Sequence, residues 1–305
     1  MNNIGSSETT RESPSLTFDF TNYLEYYRPE HKRNEDISVT IAFLQWFVGF
    51  TEGDGTFTCE PEGEKTKIRL RFSITQKDAK LIFKVKKRLG FGYVSRNGEY
   101  FSFRVDDKKG IQRLQALFNG NLVLPKRIAQ FVYWVNYKQE IQHPMFHLIS
   151  PKAKPILPSL EDAWISGFIE AEGCFYANLN TKKEFFSIKS HKVTITQQDT
   201  HGEKAVLEHI KQLFKAKTET YLVKPPDCFR IVIEAFSCQI IMVEYLRRFC
   251  LLGKKRIAAL RWWRIHHMRL NKSHLERANQ NKLQRLCESI NQQAKDQEEE
   301  DGIAS

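Results

Sequence analysis

What the sequence lacks narrows it first. Its six cysteines (Cys59, Cys174, Cys228, Cys238, Cys250, Cys287) form no CxxC pair and no cluster with histidine. Neither a zinc site nor a disulfide framework is expected, and a reducing compartment fits. His266, His267 and His274 lack spaced partners of metal-ligand type and read as part of a basic helix face. The most apolar run, TIAFLQWFVGF, is 11 residues long and includes Gln45, too short to span a bilayer. Residues 1–36 have no apolar core of a secretory signal, and their acids are unlike an arginine-rich transit peptide. Acid is also short overall: 36 Asp and Glu against 47 Lys and Arg leave a net charge of +11. An excess of that size points towards a polyanion, most often nucleic acid, and equally fits a soluble enzyme with a basic surface.

What is present is repetition. WFVGFTEGDGTF (46–57) and WISGFIEAEGCF (164–175) agree at six of twelve positions at an offset of 118, and Asp54 faces Glu172. SITQKD (73–78) matches TITQQD (194–199) at offset 121, and LVLPKRIA (122–129) matches LLGKKRIA (251–258) at offset 129. Three anchors in one order mark an internal duplication. Prolines 144, 151, 155 and 158 mark a linker over 143–159 between a first unit, 37–142, and a second, 160–275. Residues 1–36 and 276–305 are expected to be mobile tails.

Within the first copy, Ile41, Leu44, Phe47, Val48 and Thr51 recur at helical spacing up to Gly53 and Gly55. KIRLRFSIT then alternates with period two, which puts Lys67, Arg69, Arg71, Ser73 and Thr75 on one strand face and Ile68, Leu70, Phe72 and Ile74 on the other. Asn97-Gly98 signals a hairpin, and helices near 77–88, 108–118 and 126–140 complete the unit. The second copy loses its strand alternation between Lys189 and Lys192, which predicts a bulge. Its last helix carries seven Lys or Arg, three His and no acid over 254–275. Trp134 and Trp263 are expected in the core.

A carboxylate at a helix C-terminus faces the negative end of the helix dipole, so two such ends need compensation. Gly49 and Gly53, and Gly167 and Ala171, provide small-xxx-small spacing that lets two helix backbones touch. Packed about a pseudo-twofold axis, the two helices would set Asp54 beside Glu172. Carboxylates so placed repel each other unless a cation sits between them, and hard oxygen ligands favour Mg²⁺. Glu52 and Glu170 are expected to brace the helix junction. The basic strand faces fit the major groove of double-stranded DNA. Candidate contacts are Lys67, Arg69, Arg71, Ser73, Arg96 and Arg104 in the first copy, and Ser187, Lys189, Lys192, Thr194 and Arg230 in the second.

These residues give the chain a resemblance to the single-chain, two-motif LAGLIDADG homing endonucleases, over about residues 38–270. The resemblance implies an α+β fold of tandem pseudo-symmetric αββαββα repeats, with saddle-shaped antiparallel sheets on a long DNA site. It implies a monomer that makes a double-strand break with short 3′ overhangs. Carried over by position, Asp54 and Glu172 would bind Mg²⁺ with the backbone carbonyls of Gly53 and Ala171, and Ca²⁺ would support binding without cleavage. Gln76 and Gln197 would flank the attacking water, and Lys126 and Lys255 would be the basic active-site residues. Because Lys254 stands where the first copy has Pro125, the last assignment could slip by one. The resemblance also implies an intron reading frame in an organelle, mitochondrial before chloroplast. The rival functions are a maturase acting on intron RNA and a non-cutting DNA-binding regulator.

Overall fold

The computed structural model describes residues 17–27, 37–61, 68–141, 150–180, 187–224 and 227–303. In the first copy the motif helix α1 (Ile37–Asp54) leads into β1 (Gly55–Pro61), β2 (Ile68–Gln76), α2 (Ala79–Leu89), β3 (Tyr93–Asn97), β4 (Tyr100–Val105), α3 (Lys108–Phe118) and α4 (Pro125–Ile141). The second copy repeats this as α5 (Trp164–Glu172), β5 (Gly173–Asn180), β6 (Ser187–Gln198), α6 (Glu203–Leu213), β7 (Tyr221–Lys224), β8 (Cys228–Ile233), α7 (Phe236–Arg248) and α8 (Lys255–Leu270). A last helix, α9 (Gln280–Ile303), follows. Each copy holds one four-stranded antiparallel sheet, ordered β1-β2-β4-β3 and β5-β6-β8-β7. The expected α+β pair of repeats is the fold that forms.

The motif helices meet at the centre. α5 is buried from Trp164 through Glu170, and Phe47, Val48 and Phe50 of α1 are fully covered. A helix that is apolar on every side must be packed on every side, and for each of these one side is the other helix. A Cβ added at Gly49 would fall 2.1 Å from the Trp164 carbonyl oxygen, and one at Gly167 would fall 1.8 Å from that of Trp46. The two backbones are therefore in direct contact, in a near-symmetric way that only glycine allows. At the end of the helices, a Cβ on Gly53 would overlap that of Ala171, at 2.2 Å.

Period two decides the sheet faces. Leu70, Phe72 and Ile74 point inward, and Phe72 joins a cluster with Phe47, Phe57 and Phe118. Arg69, Arg71 and Ser73 therefore lie on the outer face, while Lys67 falls outside the described residues. On β6 a bulge leaves Lys189 unpaired between Ile188 and Ser190. Ile188 packs on the core before the bulge, and His191, Val193 and Ile195 are buried after it. The extra residue brings Ser187 and Lys192 onto one outer face despite their opposite parity.

Several sequence expectations are corrected. Arg96 pairs with Phe101, whereas Arg104 pairs with Ser73 and Tyr93. A two-residue hairpin turn pairs residues of opposite parity, so Arg96 shares the inward face with Phe101 and stacks over its ring. Thr194 is on the outer row but only 7% exposed, so it presents little to a ligand. Trp262 is the buried tryptophan of α8, against Phe175 and His191, and Trp263 is partly exposed beneath Arg247. His266 is buried rather than part of a solvated basic face.

The ends are not simple tails. Phe20 and Tyr23 are buried, and Asp19 and Asn121 exchange two hydrogen bonds of 2.7 Å. α9 buries Leu283, Cys287 and Ile290, and Asn291 bonds both the N–H and the C=O of Ala177 on edge strand β5. An amphipathic helix thus covers an exposed sheet edge. In the linker, Ile156 is buried and its N–H donates to the Leu122 carbonyl.

A buried polar network lies behind the second sheet. His191 bonds the Trp262 carbonyl through Nε2 and receives Arg269 at Nδ1, while Gln239 bonds Glu234 and His191 carbonyls. Gln239 Oε1 also lies 3.1 Å from Nδ1, but an arginine can only donate, so Nδ1 accepts from Arg269 and the imidazole is neutral with its proton on Nε2. Burial and the Arg269 charge pull His191 down from 6.5 to about 3. The unfolded chain therefore binds a proton at His191 that the folded chain refuses, and stability falls as pH drops below 6.5.

Two outcomes follow from this packing. Gly49→Ala should lower the unfolding free energy by about 2–3 kcal/mol or more, read from the urea midpoint. Between about pH 6.5 and about pH 5, the parent should lose about 2 kcal/mol at His191. His191→Asn should be less stable at about pH 7 but lack that part of the acid slope.

Candidate active site

The site grows from the ends of α1 and α5. Because the backbones touch at Gly49 and Gly167 and again at Gly53 and Ala171, Asp54 and Glu172 emerge at one shared place. An added Cβ on Gly53 would sit 3.4 Å from Oε1 of Glu172. The two carboxylate-bearing tips come together as expected.

The acids one turn position earlier do different work. Glu52 is fully buried and accepts from the backbone N–H of Val123 (2.9 Å) and Leu124 (2.7 Å), and from Nε1 of Trp164 in the other half (2.5 Å). Burial pushes its carboxyl up to about 7, while the three donors and Arg127 pull the other way. Glu170 accepts from the N–H of Leu252 (2.6 Å) and Gly253 (3.0 Å), and burial raises its pKa as well. Both therefore brace the loops that precede α4 and α8, and only Glu52, through Trp164, also ties one motif helix to the other.

The loops align at an offset of 129 up to this point and then slip. Glu203, from α6 of the second copy, accepts the N–H of Lys126 at 2.7 Å. Asp78, the N-cap of α2 in the first copy, accepts the N–H of Lys254 at 2.8 Å. The offset is now 128, because Pro125 adds a residue without an N–H to the first copy. Trp134 and Trp262, the buried pair, keep that offset.

The slip decides which basic side chains reach the tips. Arg127 donates to the carbonyls of Glu52 (2.7 Å) and Gly53 (2.6 Å). Lys255 donates to the carbonyl of Ala171 at 2.5 Å, with Ile169 at 3.5 Å. Arg127, not Lys126, is thus the structural counterpart of Lys255. Burial lowers the Arg127 pKa, and the carboxylates of Glu52, Glu172, Asp54 and Glu203 oppose that shift. Sequence matching missed Arg127, although it stands in the repeated KRIA string.

The halves also differ in their glutamines. Gln76 donates from Nε2 to Oδ2 of Asp54 at 2.6 Å. Gln197 turns its Nε2 to the Gln198 carbonyl at 3.4 Å, and its buried Oε1 has no partner among the described residues. Trp164 bonds Glu52, whereas the matching Nε1 of Trp46 is buried with no partner among them.

A divalent cation fits this donor set. Asp54 and Glu172 carry carboxylates at the adjoining helix tips, and the carbonyls of Gly53 and Ala171 there each accept from a cationic side chain. Among the described residues no group of three His, Cys, Asp or Glu gathers as a metal site. Hard oxygen donors of this kind suit a divalent cation that prefers oxygen ligands.

On the outer sheet faces, Arg71 is held by Glu60 (2.6 Å) and Asp106 (3.6 Å), and Arg230 bonds Oγ1 of Thr196 at 2.8 Å. Lys192 lies over the Tyr176 ring. Arg69 and Lys189 are exposed. The side chains form two basic rows, one on each sheet.

Residues 47–137 and 165–266 match the family described as LAGLIDADG endonuclease, one segment per repeat. The chain belongs to that family. A probable intron-encoded endonuclease 4 of Neurospora crassa is 30% identical over 260 residues, which is 82% of this chain but 44% of the relative. A probable intron-encoded endonuclease aI3 of Dictyostelium citrinum is 26% identical over 246 residues, covering 71% of this chain and 92% of the relative. An intron-encoded RNA maturase bI4 of Saccharomyces cerevisiae is 26% identical over 56% of this chain and 26% of its own length. The same fold is seen in I-SmaMI bound to an uncleaved DNA target in the presence of calcium ions, with a TM-score of 0.63 and 17% identity over 81% of this chain and 98% of that one. I-GzeII in complex with its DNA target scores 0.65, at 19% identity over 80% and 97%. Among the described residues, no helix of this LAGLIDADG protein is long and apolar enough to cross a membrane.

Glu52→Gln keeps the shape of the side chain but turns an amide N–H₂ towards one of three donors. It should cost about 1–3 kcal/mol, measured as a lowered urea midpoint.

Proposed function

We propose that the chain is a site-specific DNA endonuclease that cuts both strands of a long, pseudo-symmetric target, acting as a monomer. The observation that carries this reading is the meeting of Asp54 and Glu172 on one axis between two sheets with basic outer faces. Family membership and relatives named as intron-encoded endonucleases support it. The intron-encoded names also support an organellar intron reading frame, mitochondrial by preference.

Asp54, Glu172 and the carbonyls of Gly53 and Ala171 would hold Mg²⁺, with Ca²⁺ as a substitute that supports binding alone. A metal held there would supply water activation and charge neutralisation at the scissile phosphates. The chain's own groups do the rest. Gln76 holds the Asp54 carboxylate in orientation through its N–H₂, which leaves its oxygen able to accept from water. Arg127 and Lys255 bring positive charge to each tip, where it stabilises developing negative charge on the phosphate oxygens. Arg69, Arg104, Ser187, Lys192 and Arg230 on the outer faces contact DNA, where phosphate contacts position and base-edge contacts specify. Asp against Glu, Arg against Lys, and Gln76 against Gln197 make the two centres chemically unequal, so the two strands are cut at different rates.

One observation favours maturase activity as a second reading. The acid-free α8, which packs through Trp262 against Phe175 and His191 of the second sheet, exposes Arg256 and Arg264, and one relative is named an RNA maturase.

The test is selection of cut sites from a random DNA library by the whole chain with Mg²⁺. Asp54→Asn should abolish cutting and retain binding in Ca²⁺. Arg127→Ala should slow one strand by about 100-fold or more, and Lys126→Ala should do much less. Tight binding without cleavage at any selected site supports the regulator instead, and binding to structured intron RNA alone supports the maturase.

A further inference from the structure

The junctions where the chain enters α4 and α8 each present three backbone N–H groups to carboxylates, and in both cases the acids come from both halves. In the second copy, Glu170 takes Leu252 and Gly253, and Asp78 of the first copy takes Lys254. In the first copy, Glu52 takes Val123 and Leu124, and Glu203 of the second copy takes Lys126 across the non-donating Pro125. Asp78 is 9% exposed and Glu203 wholly buried, so neither is a solvated surface acid.

Each borrowed acid is tied down at its own end. Asp78 accepts Leu81 N–H through its other oxygen at 3.3 Å and so caps α2. Glu203 accepts the N–H groups of Thr200 (2.7 Å) and His201 (2.8 Å) through its other oxygen. In the second copy the capping turn falls to Asp199, which accepts Gly202 N–H at 2.8 Å. The repeat match pairs Asp78 with Asp199, but their cross-half contacts differ: Glu203 has taken that contact over. The same bridge has been built twice with different residues, which is unexpected of incidental packing.

The bonded N–H is in each case one residue before the basic side chain at the tip: Lys254 before Lys255, and Lys126 before Arg127. We propose that Asp78 and Glu203 are positioning residues acting in a crossed sense. Asp78 of the first half sets Lys255 in the second half's centre, and Glu203 of the second half sets Arg127 in the first half's centre. A carboxylate bonded to the first turn of α8 or α4 holds the helix start against rotation or slippage, with the N-terminal dipole adding to the attraction. Misplacement of a catalytic group by about 1 Å can cost on the order of 100-fold in rate. The consequence is that neither half can assemble a complete centre alone. This inference rests on the endonuclease reading.

The experiment is strand-resolved nicking of a selected target by the full chain. Lys255→Ala and Arg127→Ala first define which strand depends on which basic group. Asp78→Ala should slow the Lys255-dependent strand by about 10- to 100-fold, leave the other within about 2-fold, and leave binding in Ca²⁺ intact. Glu203→Ala should do the reverse. If either alanine variant fails to fold, Lys254→Pro still tests the idea. Lys254 has φ −59°, which proline accepts, so the change deletes the N–H while Asp78 stays in place. Relative to Lys254→Ala, it should by itself slow the Lys255-dependent strand by about 10- to 100-fold and leave the other within about 2-fold; where Asp78→Ala folds, the double variant should be no slower than either single. Equal slowing of both strands, an effect on the acid's own half, or additive losses in the double variant would overturn the crossed arrangement alone. A parent chain that cuts neither strand of any selected target removes the endonuclease reading and this inference with it.

Discussion

Backbone contact between α1 and α5 is the constraint from which the remaining geometry follows. Gly49 lies against the Trp164 carbonyl and Gly167 against that of Trp46, with no room for a single methyl group at either place. Dispersion falls away steeply with distance, so helices this close gain many small contacts. The approach also sets the separation of everything attached to them. β1 and β5 leave directly from the two tips, the sheets spread to either side, and Asp54 and Glu172 cannot avoid each other. Wider packing around the same helices would leave two basic scaffolds with separate acidic ends.

Buried acids then lock the loops onto that axis. Removing Glu52, Glu170 and Glu203 from water is costly, and the cost is offset only because each accepts several well-placed N–H groups. The acids fix which residue begins α4 and α8. That in turn fixes whether the side chain at the tip is Lys126 or Arg127.

The halves are related but no longer equal. The first tip has Asp54 with Gln76 on its carboxylate and Arg127 on its carbonyl. The second has the longer Glu172, a Gln197 turned aside, and Lys255. Trp164 reaches Glu52, whereas Trp46 finds no acceptor among the described residues. Arginine and lysine differ in shape and hydration as well as in hydrogen-bond number, so the differences are chemical and not only geometric. The second half also carries α9 on the edge of β5, where the first half has Trp134 bonded to Thr58. One duplicated plan has been finished in two ways.

The sequence by itself determined the duplication, the motif helices with their paired acids, and most of the outward strand faces. Each of those is a local property: a repeated string, a helical spacing of small residues, or alternation with period two. The bulge was legible too, because Lys189 to Lys192 breaks the alternation. Tertiary structure alone decided the rest. KRIA matches equally in both copies, so no string comparison shows that Pro125, lacking an N–H, shifts Arg127 into the place held by Lys255. Asp199 looks like the partner of Asp78, yet Glu203 makes the bridge across the halves. The helix after residue 280 reads as a charged tail until β5 offers it an edge to cover. These outcomes depend on which donor and acceptor groups meet across the central axis, and such meetings leave no periodic trace in a single chain.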